Sequence, residues 1–236
     1  MKLSVVMPVY NERRTISQII EKIAAIKLSG ITKEIVVVDD FSTDGTREAL
    51  AGIKGKTDIK IIYHEKNQGK GSAVRTGLQH ATGDIIIFQD ADSEYDPADY
   101  EKLIQPIREG RAEVVYGSRF MGKSIKELGN GKWILPTHFI GNKILTLLTN
   151  ILYGQNLTDM ETGYKVFKAD IIKSLNFKAN RFDMEPEITT KLLKRHTRIY
   201  EVPIKYAARD FSQGKKITWK DGVKAAWCLL KFRFTR

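Results

Sequence analysis

Apolar, β-branched runs alternate with helix-like segments through the first half of the chain, and each of the first four runs ends in an acidic or glycine-rich cluster. Residues 3–9, 34–38, 59–63 and 84–89 read as strands, and 114–116 starts a fifth. Between them Ile16, Ile19, Ile20 and Ile23 recur at helical spacing, Asp44 is placed to cap a short helix through Leu50, and 72–81 reads as a helix. Asp96-Pro97 offers a cap and a first-turn proline for a helix reaching Arg108. Continuously apolar strands separated by helices indicate an α/β chain with a Rossmann-like, mostly parallel central sheet covered by helices on both faces. No repeat or low-complexity stretch interrupts it, so the expectation is one domain over 1–236.

In such a sheet ligands bind beyond the carboxyl ends of the strands. The clusters at those ends are Pro8-Val9-Tyr10-Asn11-Glu12, residues 39–46, Asn67-Gln68-Gly69-Lys70-Gly71 and Asp90-Ala91-Asp92-Ser93-Glu94. Any one of them is explained by capping and turn chemistry; four converging on one edge are not. Two carboxylates one residue apart, Asp90 and Asp92, suit a hard cation such as Mg²⁺ or Mn²⁺, which neutralises a pyrophosphate leaving group. His64, His80, His138 and His196 show no ligand spacing. The segment 69–77 closes neither as a Walker A loop nor, with Val74 at the third glycine position, as a dinucleotide fingerprint. Lys70 and Arg75 are placed either to receive phosphate charge or simply to follow a tight turn.

Charge is divided unevenly. Residues 1–118 carry 16 Lys or Arg against 18 Asp or Glu, whereas 119–236 carry 23 against 10. A near-neutral half followed by a basic one points to a polyanionic small ligand or an anionic membrane surface rather than to nucleic acid. The single cysteine, Cys228, excludes an intramolecular disulfide framework and fits a reducing compartment. No run of 18 apolar residues reads as a membrane span. Two later segments are amphipathic. In 139–153 a stripe of Ile140, Ile144, Leu147, Leu148, Ile151 and Leu152 lies opposite Asn142, Lys143, Thr146, Thr149 and Asn150. In 216–234 Trp219, Val223, Trp227, Leu230 and Phe234 lie beside Lys220, Lys224 and Lys231. Either stripe can pack on a core, and a basic, tryptophan-bearing helix also suits a membrane interface.

With the four clusters, the segments 115–119, 159–165, 182–187 and 202–206, and Arg209 followed by Gly214-Lys215-Lys216, the chain resembles the inverting glycosyltransferases of family 2, which share the GT-A fold. The order of segments is most similar to the dolichol-phosphate mannosyltransferase and polyprenyl-phosphate hexosyltransferase branch, over about residues 2–222. The resemblance implies a nucleotide-sugar-binding half (1–118), an acceptor-side half (119–215) and a basic amphipathic extension (216–236). It implies that Pro8, Tyr10, Glu12 and Asp39 hold the nucleotide, Asp39 through the base. Asp90, Ala91 and Asp92 would form the sugar and metal segment with Glu94 as a further ligand. Arg119, Arg209 and Lys215 would meet the diphosphate.

The expected reaction moves a hexose from a nucleotide-diphosphate sugar, GDP- or UDP-linked, to a polyprenyl phosphate at the cytoplasmic membrane face, with Asp92, Arg119 and Asp159 at the reacting centre. Such an acceptor is already an oxyanion and needs no strong base. A saccharide or small-molecule hydroxyl acceptor needs one; Asp159 is the candidate, its other reading being a structural acceptor near Thr162 and Lys165. Many polyprenyl-phosphate relatives carry C-terminal membrane spans, so this chain is expected to meet the membrane peripherally through its amphipathic helices. A membrane-protein partner or a homo-oligomer stays open. The segment 121–135 reads as a loop near the acceptor. A nucleotidyltransferase and a non-catalytic basic module are the competing classes, and the acidic clusters disfavour the second.

Overall fold

The computed structural model describes residues 1–53, 58–122, 136–208 and 219–235. Its strands are β1 (Lys2–Val9), β2 (Thr32–Asp39), β3 (Ile59–Tyr63), β4 (Ile85–Phe88), β5 (Val114–Ser118), β6 (Lys165–Lys168) and β7 (Ile199–Pro203). Its helices are α1 (Ile16–Ala25), α2 (Thr46–Ala51), α3 (Lys70–His80), α4 (Tyr100–Arg108), α5 (Pro136–Tyr153), α6 (Ala169–Ser174), α7 (Met184–Lys194) and α8 (Trp219–Phe234). The strands form one sheet in the order β3-β2-β1-β4-β6-β5-β7. The five strands expected from the sequence all form. Neighbours β3, β2, β1 and β4 are parallel, as are β5 and β7, while β6 runs antiparallel between β4 and β5. The chain winds outward from β1 to β3, then returns to the other side of β1 as β4, so the strand order reverses between β1 and β4. That is where an open sheet parts to admit a ligand.

Alternation along β1 builds both layers of the core. Leu3, Val5, Met7 and Val9 face the isoleucines of α1 and the Leu103, Ile104 and Ile107 row of α4. Val6 faces the opposite way, with Val36, onto Val74 and Leu78 of α3 and Ile188 and Leu192 of α7. Helix α2 starts at Thr46, one residue later than a cap at Asp44 would give. Gly45, at φ +96°, occupies the cap position, and Asp44 serves from one residue further out by accepting from Thr46 N at 3.0 Å.

Helix α5 reverses the ordinary sense of amphipathicity. Ile140, Ile144, Leu147 and Ile151 point to solvent, while Thr146 and Thr149 are buried, and only Leu148 and Leu152 of the apolar stripe pack against the core. The polar side can face inward because its groups find partners. Thr149 Oγ1 donates to Leu145 O, and Asn150 both donates to Leu157 O and accepts from Leu157 N at 2.9 Å. Helix α8 packs beside α5 and does the same with Val223, Trp227, Leu230 and Phe234, turning Ala225 and Leu229 inward. These eight outward side chains are 37–79% exposed and repeat at the same i, i+4, i+7, i+11 spacing on both helices. Among the described residues no helix is long and apolar enough to cross a membrane.

Gly77 sets the approach of α3 to the sheet, since a Cβ there would lie 2.5 Å from Val6 Cγ1. In an exposed helix, glycine to alanine stabilises by about 1 kcal/mol. Here overpacking reverses the sign: Gly77→Ala is expected to destabilise by about 1–3 kcal/mol, read as a lower midpoint in urea denaturation.

Candidate active site

The edge at the carboxyl ends of β1, β2 and β4 is assembled from the sequence clusters. Val6 O accepts from Gln89 N on the β4 side and Val9 O from Asp40 N on the β2 side. By alternation the backbone nitrogen of Pro8 faces β4, beyond the point where the β1–β4 ladder ends at Val6 and Phe88. A proline, lacking the N–H, leaves that gap open without an orphaned donor. The turns after β1 and β2 are laced together: Asn11 N donates to Ser42 Oγ (2.9 Å), Thr43 N to Asn11 Oδ1 (2.8 Å) and Glu12 N to Thr46 Oγ1 (2.9 Å). Tyr10, at the end of β1, keeps its ring partly exposed beside them. Asp40 holds the next loop, accepting from Gln68 N and Gly69 N, with His64 Nδ1 at 2.8 Å. His64 thus serves as structural glue between Asp40 and Thr76.

Strain gathers at the same edge. Asn11, Phe41 and Ser93, in the turns that follow β1, β2 and β4, have φ of +52°, +67° and +61°, a region costly for side chains bearing a Cβ. Orphaned buried polar atoms gather there too. Among the described residues they are Asp39 Oδ1, Ser93 Oγ and Glu161 Oε1. An unpaired buried acceptor is unfavourable in the isolated protein and is relieved when a ligand supplies the donor.

Asp90 faces Lys70, whose Nζ lies 2.7 Å from Asp90 Oδ1 and 3.4 Å from Glu185 Oε1. Burial would lower the Lys70 pKa, but Asp90 and Glu185 outweigh it and keep the ammonium charged. Glu185 also pairs with the fully buried Lys165 of β6. The small residue at 163 is required by Asp90, because a Cβ on Gly163 would lie 2.6 Å from Asp90 Oδ2. Ala91 is buried, Asp92 Oδ1 accepts from Glu94 N at 3.1 Å, and Glu94 Oε2 accepts from Tyr206 OH at 2.9 Å. The three expected metal ligands are therefore not gathered into one cage, and no group of three acids, histidines or cysteines fit for a metal occurs among the described residues. The donor set at Asp90 and Asp92 still fits Mg²⁺ or Mn²⁺, which take one or two carboxylates and complete the shell with phosphate oxygens and water.

Arg119, at the end of β5, is clamped onto Asp159. Its Nε and Nη2 donate at 2.7 and 2.8 Å and its backbone N at 3.0 Å, while Asn142 of α5 adds a bond at 3.2 Å. Burial would raise the Asp159 carboxyl, but the Arg119 charge and these bonds hold it below the ordinary carboxylate value. Its partners are Arg119 and Asn142 rather than Thr162 and Lys165. Of the two basic residues of α3, Lys70 points into the site, whereas Arg75 is spent on Ala179 O and Asn180 Oδ1. Arg209 and Lys215, and most of the loop at 121–135, lie outside the described residues. Glu161, Glu185 and Arg47 drew no role from the sequence. The first two sat inside recognised segments, and only the tertiary fold brings them to Arg119 and Lys70.

Over its whole length the fold matches glucosyl-3-phosphoglycerate synthase from Mycobacterium tuberculosis, solved with Mn²⁺, uridine diphosphate and phosphoglyceric acid. The TM-score is 0.72 at 22% identity over 79% of that chain, which places the fold in the GT-A class. The glycosyl transferase family 2 model matches residues 4–175, and the chain belongs to that family of glycosyltransferases. A UDP-N-acetylglucosamine–dolichyl-phosphate N-acetylglucosaminyltransferase from Methanococcus voltae is 30% identical over 97% of this chain and 94% of its own. A dolichol-phosphate mannosyltransferase from Pyrococcus furiosus is 29% identical over 91% of this chain, which spans 59% of that relative's length.

Burial pushes the Glu161 carboxyl up to about 7, with Lys165 lowering it and Glu185 raising it. The ordinary value is 4.5, so between pH 4.5 and about 7 the folded chain keeps a proton that the unfolded chain has released, and stability falls as pH rises. Glu161→Gln stays neutral throughout. Relative to wild type it is expected to gain on the order of 2 kcal/mol between pH 5 and pH 8, measured by urea denaturation at each pH.

Proposed function

We propose that this glycosyltransferase moves a hexose from a nucleotide-diphosphate sugar to a polyprenyl phosphate at the cytoplasmic face of a membrane. One observation carries the acceptor: α5 turns an apolar row to solvent and braces the site from its other side. Asn142 bonds Asp159, and Lys143 Nζ bonds Thr158 O at 3.2 Å. A bilayer covering that row lies one helix diameter, about 10 Å, from the pair Arg119 and Asp159. The second apolar row, on α8, is flanked by the exposed cations Lys224, Lys231 and Arg233, the pairing that suits an anionic bilayer surface. The names of the archaeal relatives, both dolichyl-phosphate transferases, support the same acceptor class.

In this reading Asp39, Tyr10, Pro8 and Glu12 line the nucleotide end. Asp90 and Asp92 hold Mg²⁺ or Mn²⁺, which when bound supplies charge neutralisation of the diphosphate. Lys70 keeps Asp90 aimed into the site. Arg119, fixed in orientation by Asp159, presents cationic charge to the phosphates. An acceptor phosphate oxygen attacks the anomeric carbon, the bond to the diphosphate breaks with its electron pair on the leaving oxygen, and the centre inverts. No proton needs to leave the attacking oxyanion. That agrees with Asp159, whose three bonds from Arg119 and lowered pKa make it a positioning group rather than a base.

The test is sugar transfer from GDP- and UDP-sugars to a short polyprenyl phosphate in anionic or neutral vesicles, with Mg²⁺, Mn²⁺ or EDTA. The expected product is an acid-labile lipid-phosphate sugar, formed with metal and faster on anionic vesicles. Asp92→Asn should lower transfer on the order of 100-fold, and Trp227→Glu should remove the vesicle effect. Nucleotide binding with slow hydrolysis and no lipid product would defeat the acceptor assignment and leave a hydroxyl acceptor in its place.

A further inference from the structure

We propose that Arg47 makes the nucleotide site selective for uridine over guanosine, by engaging one of the two carboxylate oxygens of Asp39. This rests on the nucleotide-sugar reading above. Asp39 ends β2, in register with Val9 of β1 and Tyr63 of β3, and is fully buried. Its Oδ2 accepts from Arg47 Nε at 2.6 Å and from Ser42 N at 3.2 Å, whereas Oδ1 has no partner.

Arg47 is held in place from several sides. Its Nη2 donates to His64 O at 2.5 Å, and its guanidinium lies 5.1 Å from the Phe41 ring centroid and 5.4 Å from that of Tyr63. Those two rings are 40% and 36% exposed, aromatic faces of the kind on which a base stacks. The site therefore offers one buried acceptor. Uracil presents one N–H on its pairing edge, N3–H between two carbonyls. Guanine presents two adjacent donors, N1–H and the 2-amino group, which match a carboxylate with both oxygens open. With Oδ2 engaged, guanine buries a donor without an acceptor or must displace Arg47 from its bonds.

Calorimetric titration of the full chain with UDP and with GDP, in Mg²⁺, tests this. UDP should bind tighter than GDP by about tenfold or more in the wild type. In Arg47→Ala, which opens Oδ2, the ratio should narrow or invert, with circular dichroism checking the fold. The wild-type ratio decides even if that variant does not fold. Equal or tighter GDP binding in the wild type would overturn the inference, as would an unchanged ratio in folded Arg47→Ala. Binding of neither nucleotide would overturn the nucleotide-sugar reading and this inference with it. UDP-selective binding without transfer to a polyprenyl phosphate would uphold it and defeat only the acceptor.

Discussion

Asp90, Lys70, Glu185 and Lys165 alternate in sign through the interior and join four elements: the end of β4, the first turn of α3, the first turn of α7 and the start of β6. Lys165 is completely buried and Lys70 partly so, and a lone ammonium in the first place would be strongly disfavoured by desolvation. Paired through Glu185, the two lysines become compatible with the core. The consequence reaches the chemistry, because Lys70 then faces Asp90 beyond the end of β4. The same chain of charges ties β6, the reversed strand from the second half, against β4. Breaking it at Glu185 would leave Lys165 without a carboxylate and Lys70 with Asp90 alone, so fold and site meet at one carboxylate.

A second dependence runs from the outer surface inward. In most soluble helices the apolar stripe faces the core; in α5 and α8 it faces out. Thr146, Asn142 and Asn150 can turn inward on α5 because the loop at 155–160 offers backbone and side-chain partners to match, and Thr149 bonds back to Leu145 O within the helix. Inverting the helix satisfies its polar groups and leaves two apolar rows without a partner among the described residues. Because Asn142 reaches Asp159 and Asp159 holds Arg119, whatever covers those rows is mechanically connected to the cation expected to meet the acceptor.

The sheet was legible in the sequence wherever strands were long and apolar, as in β1 and β2. It was not legible in β6, four residues with a lysine at each end, whose burial depends on Glu185 twenty residues away. Nor was it legible in β7, which is only half covered. The periodicity of 139–153 correctly marked a helix and its two faces, but hydropathy alone does not say which face is inward when both can be satisfied. At the site, Asp90 and Asp92 stood out as paired carboxylates at a strand end, and Arg119 through the family resemblance. Glu161 and Arg47 did not, since a carboxylate with one oxygen unpaired and a guanidinium between two rings are properties of the assembled fold.

The central claim is that the edge formed by β1, β2 and β4 receives the donor diphosphate with a divalent ion at Asp90 and Asp92. Anomalous diffraction from a crystal grown with Mn²⁺ and a nucleoside diphosphate tests it most directly. The account predicts a Mn²⁺ peak about 2.1 Å from carboxylate oxygens of Asp90 or Asp92, bridged to the diphosphate, with the base at Asp39. Nucleotide bound elsewhere, or bound at this edge with its ion held by other residues, would contradict it.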